Sequence, residues 1–179
     1  GGTEAQDLGY INTGSIGGAV TGGTLQIGNS TTPAGQTISI NTNYSIGGLH
    51  VNSANATAKL VTNSINVIND VAITSGTLNV SGLNITLGRN WSNNVGTFVP
   101  GAGTVTFNSA SAQTIYKPSG ETFNNMVFNG SGTKTLLSAI TATNITINSG
   151  ALLDVNTTNN QITLKTAFTN NGTFYARKG

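Results

Sequence analysis

The sequence predicts an all-β fold, specifically a right-handed parallel β-helix (a β-solenoid) built from two repeats of roughly 75 residues. Three observations lead to this prediction. Only 7% of the 179 residues are charged, against about 25% in typical soluble domains. Short segments alternate apolar residues with uncharged polar ones, as strands with one buried face do. The two halves of the chain also resemble each other over most of their length.

The strands are predicted from a period-2 alternation whose polar positions carry no charge. Thr, Asn, Ser or Gln separates the apolar residues in segments such as Thr24–Ile27, Gln36–Ile40, Thr104–Phe107 and Asn144–Ile147. Disordered chains of similar polarity contain few β-branched residues, whereas this chain contains many. No segment combines an apolar helical stripe with helix caps. Uncharged polar side chains suit stacked turns, in which amides and hydroxyls bond to one another.

An internal repeat relates the two halves of the chain. Gly35–Ile38 matches Ala112–Ile115 at an offset of 77 residues. Further along, Trp91–Phe98 matches Phe168–Phe174 with one residue deleted. The offset of 77 also pairs four apolar residues that we expect to be buried on inward faces, namely Leu49 with Met126 and Val51 with Phe128.

The repeat divides the chain into three parts. Residues 1–23 form a Gly-rich N-terminal extension and a candidate subunit joint, residues 24–98 form solenoid repeat one, and residues 99–179 form repeat two with a C-terminal joint. We expect the two repeats to be successive stretches of one solenoid. An antiparallel sandwich fits less well, because its hairpins usually show Asn-Gly or Asp-Gly turns. Only two such pairs occur, at Asn129 and Asn171.

Four motifs resemble the strand-repeat arrays of secreted bacterial surface proteins, of the adhesin-like or filamentous-haemagglutinin-like class. The resemblance lies in Trp91–Phe98, Gly101–Asn108, Gln113–Ile115 and Thr122–Asn129. It implies a β-helix at the cell surface or outside the cell. It implies a stalk, an adhesin or a fibre rather than a particular chemical activity.

Composition argues against several other functions. The net charge is +2 and the basic residues do not cluster, so we expect no nucleic-acid partner. No apolar run is long enough to span a membrane, and there is no Cys. His50 aligns with Val127 in the repeat, and Glu121 aligns with Tyr44, with no partner suggested by the sequence. We therefore predict that the protein is not an enzyme and that it has no catalytic, cofactor-binding or metal-binding residues.

The chain contains ten Asn-x-Ser/Thr sequons. In a cell that N-glycosylates exported proteins, each is a candidate acceptor. The sequons begin at Asn29, Asn43, Asn55, Asn79, Asn84, Asn90, Asn129, Asn144, Asn156 and Asn171.

The function predicted from the sequence is structural: an extracellular β-solenoid subunit of a surface fibre or adhesive stalk, which assembles head to tail with copies of itself. An open solenoid end presents unpaired backbone groups that recruit another edge. The residues expected at the subunit joint are Glu4, Asp7, Phe174, Arg177 and Lys178. One alternative is a carbohydrate-binding adhesin module that recognises surface glycans without self-assembly. A polysaccharide-acting β-helix enzyme is a further, less expected alternative.

Overall fold

The computed structural model describes residues 9–13 and 19–177, and in this part of the chain it is entirely β-structure and turns. Seventeen short strands are present there. Their bounds are β1 Gly9–Asn12, β2 Val20–Ile27, β3 Gln36–Thr42, β4 Ile46–Leu60, β5 Ile65–Val67, β6 Val71–Asn79, β7 Ile85–Leu87, β8 Trp91–Asn93, β9 Thr97–Val99, β10 Thr104–Asn108, β11 Gln113–Tyr116, β12 Glu121–Asn129, β13 Thr133–Leu136, β14 Ile140–Ile147, β15 Leu152–Asp154, β16 Ile162–Asn170 and β17 Thr173–Tyr175.

Parallel strand pairs arrange the chain in three faces along one axis. Face 1 contains β2, β4, β6, β8, β11, β13, β15 and β17 in that order. Face 2 contains β1, β3, the second parts of β4 and β6, then β9, and later the first parts of β12, β14 and β16. Face 3 contains β5, β7, β10 and the second parts of β12, β14 and β16. The result is a parallel β-solenoid of about 7 turns, which confirms the predicted fold class.

The core is one continuous apolar column inside the three faces. Alternation along each short strand points every second side chain inward, where it stacks on the equivalent side chain of the next turn. Leu49, Val51, Met126 and Phe128 are all buried, as the sequence predicts. The expected right-handed winding is the usual hand for parallel crossovers and stays a prediction.

Aromatic rings fill the middle of this column. Trp91 lies edge-on to Phe98 and to Phe123, with ring centroids 4.7 and 5.3 Å apart. Phe107 continues the stack, with its ring 6.3 Å from that of Phe123 and 5.5 Å from that of Phe128. These aromatic side chains come from all three faces, so they pack the faces against one another.

The two sequence repeats occupy different faces of the solenoid. Leu49 lies on face 1, whereas its counterpart Met126 lies on face 3. The same change of face separates Trp91 from its counterpart Phe168. With turns of about 21 residues, as between Asn108 and Asn129, an offset of 77 residues is close to three and two-thirds turns. Matching segments are therefore displaced by two faces along the chain.

Amide ladders run along the outside of the turns. Asn129 donates through Nδ2 to Oδ1 of Asn108 at 3.0 Å, and Asn144 donates in the same way to Asn125 at 2.8 Å. An amide both donates and accepts, so identical amides satisfy one another when they stack. Identical charges at the same spacing would repel. The stacking explains why the polar positions of the chain are mostly uncharged.

Face 2 is interrupted where the turns lengthen. One turn spans 20 residues between Asn84 and Thr104, whereas the turn between Asn90 and Thr114 spans 24. Among the described strands, β9 on face 2 pairs with β6 beneath it, and no pairing joins β9 to β12 above it. One inward side chain at this break, that of Glu121, is charged, as described below.

Two glycines with the same backbone conformation offer a test of the stacking. Gly76 has φ +84°, and a Cβ there would lie 2.2 Å from the Ser53 carbonyl oxygen and 2.6 Å from that of Ala56. Gly150 has φ +79° and open space around it. We expect Gly150→Ala to cost about 1–2 kcal/mol for the left-handed backbone alone, and Gly76→Ala to cost about 3 kcal/mol or more because the turns must also separate.

Urea unfolding of the two variants measures this difference. Equal losses of stability would contradict the close contact between successive turns at Gly76.

Candidate functional site

The last turn of the solenoid exposes apolar side chains that other turns bury. Leu164 and Phe168 of β16 lie in register with Ala142 and Ile145 of β14. Those β14 residues are buried, whereas Leu164 is 37% exposed and Phe168 is 38% exposed. The difference arises because β14 has β16 stacked on it, while no described strand stacks on β16. We call Ile162, Leu164, Phe168 and Phe174 the terminal surface.

Two of the five predicted joint residues lie at this end. Phe174 is part of the terminal surface, and its ring is 5.3 Å from that of Phe168. Arg177 forms a bidentate ion pair with Asp154 of its own chain, with Nε donating to Oδ1 at 2.9 Å. This hydrogen bond holds the pKa of Asp154 below its usual range. Glu4, Asp7 and Lys178 lie outside the described residues, so the predicted charge complementarity between copies stays a prediction.

The opposite end of the solenoid carries an open groove of about 250 Å³. Tyr10 and Leu25 of the first turn and Ile46 of the second contribute its apolar walls. Gly22, Gly23 and Gly47 also line it, and the space next to the Cα atoms of Gly22 and Gly23 is open. This end therefore offers a concave apolar surface, whereas the last turn offers partly exposed apolar side chains.

A buried carboxylate lies at the break in face 2. Glu121 is 2% exposed and accepts hydrogen bonds through both oxygens. Its Oε2 accepts from Trp91 Nε1 at 3.3 Å and from Asn93 Nδ2 at 2.7 Å. Its Oε1 accepts from Lys117 Nζ at 3.3 Å and from the Thr122 amide at 3.1 Å. These four donors, one of which is the cationic Lys117, allow a charged group to lie in an apolar core.

This cluster corrects one expectation from the sequence. Glu121 does have partners, and they come from three different positions along the chain. A signal was present, because Glu121 lies two residues before Phe123 and Asn93 lies two residues after Trp91. Each polar side chain therefore points to the same, inward side of its strand as a buried aromatic side chain. A polar residue at a strand position where the alternation predicts an inward apolar residue indicates a polar group inside the core.

A second buried charge lies nearby on face 1. Lys134 is fully buried, and its Nζ donates to the carbonyl oxygens of Gly130, Gly132 and Ser109 at 2.6, 2.7 and 3.0 Å. Gln113, its register partner one turn below, donates to the carbonyl oxygens of the preceding corner. These two long polar side chains satisfy the backbone of the corners from inside.

The lone histidine points outward on face 1. His50 Nε2 lies 2.6 Å from Thr74 Oγ1, beside a shallow groove of about 210 Å³ that Asp70 also lines. Within residues 9–13 and 19–177, no three His, Asp or Glu side chains lie close enough to hold a metal ion. In the same part of the chain, no helix is long and apolar enough to cross a membrane.

The sequons differ in how their side chains are held. Asn129 and Asn144 use Nδ2, the atom that glycosylation modifies, in the amide ladders. Asn84 and Asn90 use Oδ1 to accept backbone amides of the next turn, which leaves Nδ2 outside those bonds. Five of the ten are exposed, namely Asn29, Asn43, Asn55, Asn84 and Asn171. Glycosylation stays a prediction.

Comparison with protein-family models, curated proteins and solved structures found no match. The resemblance to surface-protein arrays therefore rests on the four motifs named above.

The buried lysine predicts a pH dependence of stability. Burial lowers the pKa of Lys134 from 10.5 to about 8. Between these pH values the unfolded chain holds a proton that the folded chain has released, so stability should rise with pH through this window. The difference between pKa values of 10.5 and about 8 allows a rise of at most about 3.4 kcal/mol, and the three carbonyl acceptors reduce it because they favour the ammonium form.

Comparison with Lys134→Met isolates this effect, because all other groups titrate in both proteins. The unfolding free energy of the wild type, relative to that of Lys134→Met, should increase as the pH rises from about 8 to 10.5. Parallel curves for the two proteins would show that Lys134 keeps its proton throughout.

Proposed function

We propose that the protein is an extracellular structural subunit, a β-solenoid that assembles head to tail into a surface fibre or an adhesive stalk. The exposure of Leu164 and Phe168 supports this proposal most directly. Both residues occupy inward positions of the last turn. The residues at the equivalent positions of the preceding turn, Ala142 and Ile145, are buried. Covering them with another turn would gain on the order of 1 kcal/mol each.

The backbone of the last turn favours the same arrangement. Among the described strands, β16 and β17 pair only with β14 and β15, so no described strand pairs with the N–H and C=O groups of their other edges. A further parallel strand satisfies such an edge, and the first turn of a second copy supplies parallel strands of the same direction. Because the two ends differ, the contact is heterologous and propagates unless it closes a ring.

The groove at the first turn supports a second copy as the occupant. It is apolar, it lies at the opposite end of the axis, and its open volume of about 250 Å³ exceeds that of one aromatic side chain. Phe168 is 38% exposed on the last turn. An aromatic side chain in an apolar groove is the kind of anchor that dominates interface energies.

Substitutions on the terminal surface test the assembly. Leu164→Lys with Phe168→Lys should reduce polymer to monomer, because burying two ammonium groups in an apolar joint is unfavourable. Val95→Lys is the matched control, since Val95 is 81% exposed and lies away from the ends. Sedimentation velocity and electron microscopy give the readout, with circular dichroism as the check on folding.

A truncation tests the other side of the joint. Deleting residues 1–11 removes most of β1 and should abolish filaments while leaving a folded monomer. Normal polymerisation of the truncated chain, or of the double Lys variant, would contradict the proposed joint.

Exposed apolar residues on face 1 favour glycan binding as a second candidate function. Tyr116 and Leu137 each directly follow a member of the last pair in the register of β11 with β13, Ile115 with Leu136, and both are exposed. Sugar rings stack on such surfaces through their apolar faces. We expect Tyr116→Ala to reduce binding on a glycan array at least tenfold, with Tyr175→Ala as the matched control. A protein that binds no glycan on the array excludes this candidate.

A further inference from the structure

The carboxylate of Glu121 contacts both an amine and a carboxamide. Lys117 Nζ lies 3.3 Å from Oε1, and Asn93 Nδ2 lies 2.7 Å from Oε2. We propose that Lys117 and Asn93 react with each other to form an isopeptide bond, an amide between the two side chains, and that Glu121 transfers the protons. This inference is independent of the proposed assembly.

The strand register places the two reacting residues side by side. Ile115 pairs with Trp91, and Tyr116 pairs with Ser92. Lys117 directly follows Tyr116 and Asn93 directly follows Ser92, so the two residues come immediately after the last pair of this register. Adjacent parallel strands lie about 4.8 Å apart, which a lysine side chain spans easily. Both side chains have the inward phase of the buried Trp91 and Ile115.

The apolar surroundings of Lys117 and Asn93 favour the reaction, because they do not stabilise a hydrated ion pair. Asn93 is fully buried, and Lys117 is 17% exposed along its side chain. The rings of Trp91, Phe98 and Phe123 pack against one another beside them and exclude water. In such a low-dielectric site, moving a proton from the Lys117 ammonium to the Glu121 carboxylate replaces two charges with a neutral amine and a carboxylic acid. The neutral amine is the nucleophile that the reaction needs.

Asn93 Oδ1 supplies a second, independent observation. This atom is buried and has no hydrogen-bond partner, which is rare for a buried carbonyl oxygen. The two ends of a carboxamide are assigned from their hydrogen bonds. With Glu121 protonated, the reversed carboxamide places Oδ1 against Oε2 and accepts its proton in a hydrogen bond. That arrangement both satisfies the oxygen and polarises the Cγ–Oδ1 bond for attack.

The atoms balance without any other reactant. The neutral Lys117 amine attacks Asn93 Cγ, and a Cγ–Nζ bond forms as the carbonyl π electrons move to Oδ1. As the amine attacks, the protonated Glu121 gives its proton to Oδ1 and, now a carboxylate, takes a proton from Nζ. It passes that proton to Nδ2, and the Oδ1 proton returns to Glu121 as the carbonyl re-forms. The Cγ–Nδ2 bond then breaks, the carbonyl re-forms, and ammonia leaves. One amide replaces another, so nothing is oxidised or reduced.

The bond would lie where the hydrogen-bonded ladder is weakest. Within the described strands, β9 and β12 do not pair, so face 2 is open between them. A covalent link between consecutive turns at this point restricts the unfolded chain as a disulfide does. The chain has no Cys, so an isopeptide bond is a cross-link its own side chains allow.

Lys134 and Gln113 provide a matched comparison inside the same molecule. They are also a buried lysine and a buried carboxamide in register on consecutive turns, and Gln113 Oε1 also lacks a partner. The ion pairs of the described residues are Lys117 with Glu121 and Arg177 with Asp154, so no described carboxylate pairs with Lys134. Without a group to move protons, this second pair should not react.

Intact-mass spectrometry of the purified 179-residue chain tests the proposal. Loss of ammonia should lower the mass by about 17 Da relative to the sequence. Chymotrypsin cleaves after Phe98 and Phe107, between the two residues, so the digest should contain one branched peptide joining the Asn93 and Lys117 segments. The segment that contains Lys134 should appear as an unlinked peptide. A folded protein of full mass, or the mass loss on a linear peptide, would overturn the proposal.

Three variants test the assigned roles. Lys117→Arg keeps the ion pair with Glu121 but lacks the amine, and Glu121→Gln keeps the shape but cannot move the protons; both should show the full mass expected from their sequences. Lys134→Arg should still lose about 17 Da. Fluorescence of Trp91 checks that each variant is folded. A folded Glu121→Gln protein that still forms the branched peptide would remove Glu121 from the reaction.

Discussion

The structure depends on the direct stacking of each turn on the next. Parallel strands place every residue about 4.8 Å from its equivalent in the neighbouring turns. Inward positions must therefore form a continuous apolar column, and outward positions must tolerate a like neighbour above and below. The chain satisfies both conditions, with a single buried cluster inside and ladders of Asn outside. Its low content of charged residues follows from the second condition.

Two buried charged groups of the core, those of Glu121 and Lys134, are surrounded by hydrogen-bond partners. Glu121 accepts four hydrogen bonds, and Lys134 donates three to backbone carbonyls. Both lie near the lengthened turns, where loops 109–112 and 117–120 interrupt the regular ladder. Longer turns leave corner carbonyls and strand edges without neighbours in the stack. The buried polar side chains replace those missing partners, which explains why they concentrate in this part of the solenoid.

Stacking also connects the interior of the solenoid with its ends. Each interior turn buries its apolar side chains against the turns on both sides, so a turn covered on one side keeps some of them exposed. Leu164 and Phe168 show this on the last described strand of faces 2 and 3. A contact between copies would use the same parallel pairing and the same apolar packing as two turns of one chain. The proposed assembly therefore needs no type of interaction that the monomer lacks.

Much of the fold followed from the sequence, because alternation is a local property. Segments such as Thr104–Phe107 predicted strands with one buried face, and the repeat predicted that Leu49 and Met126 occupy equivalent inward positions. The sequence did not determine which face a segment joins. All three faces impose the same alternation, so a match between Leu49 and Met126 holds although they lie on faces 1 and 3.

The polar core was also decided by the tertiary structure. Glu121 meets Trp91 and Asn93 across 30 and 28 residues of chain, and only the length of the intervening turns sets which residues share a level of the stack. The sequence by itself determined the strands and their inward phase, because these depend on neighbours two residues apart, and the 77-residue repeat indicated the stacked parallel architecture. The winding of the turns alone decided the faces and the buried charged clusters, because these depend on residues that meet only after a full turn.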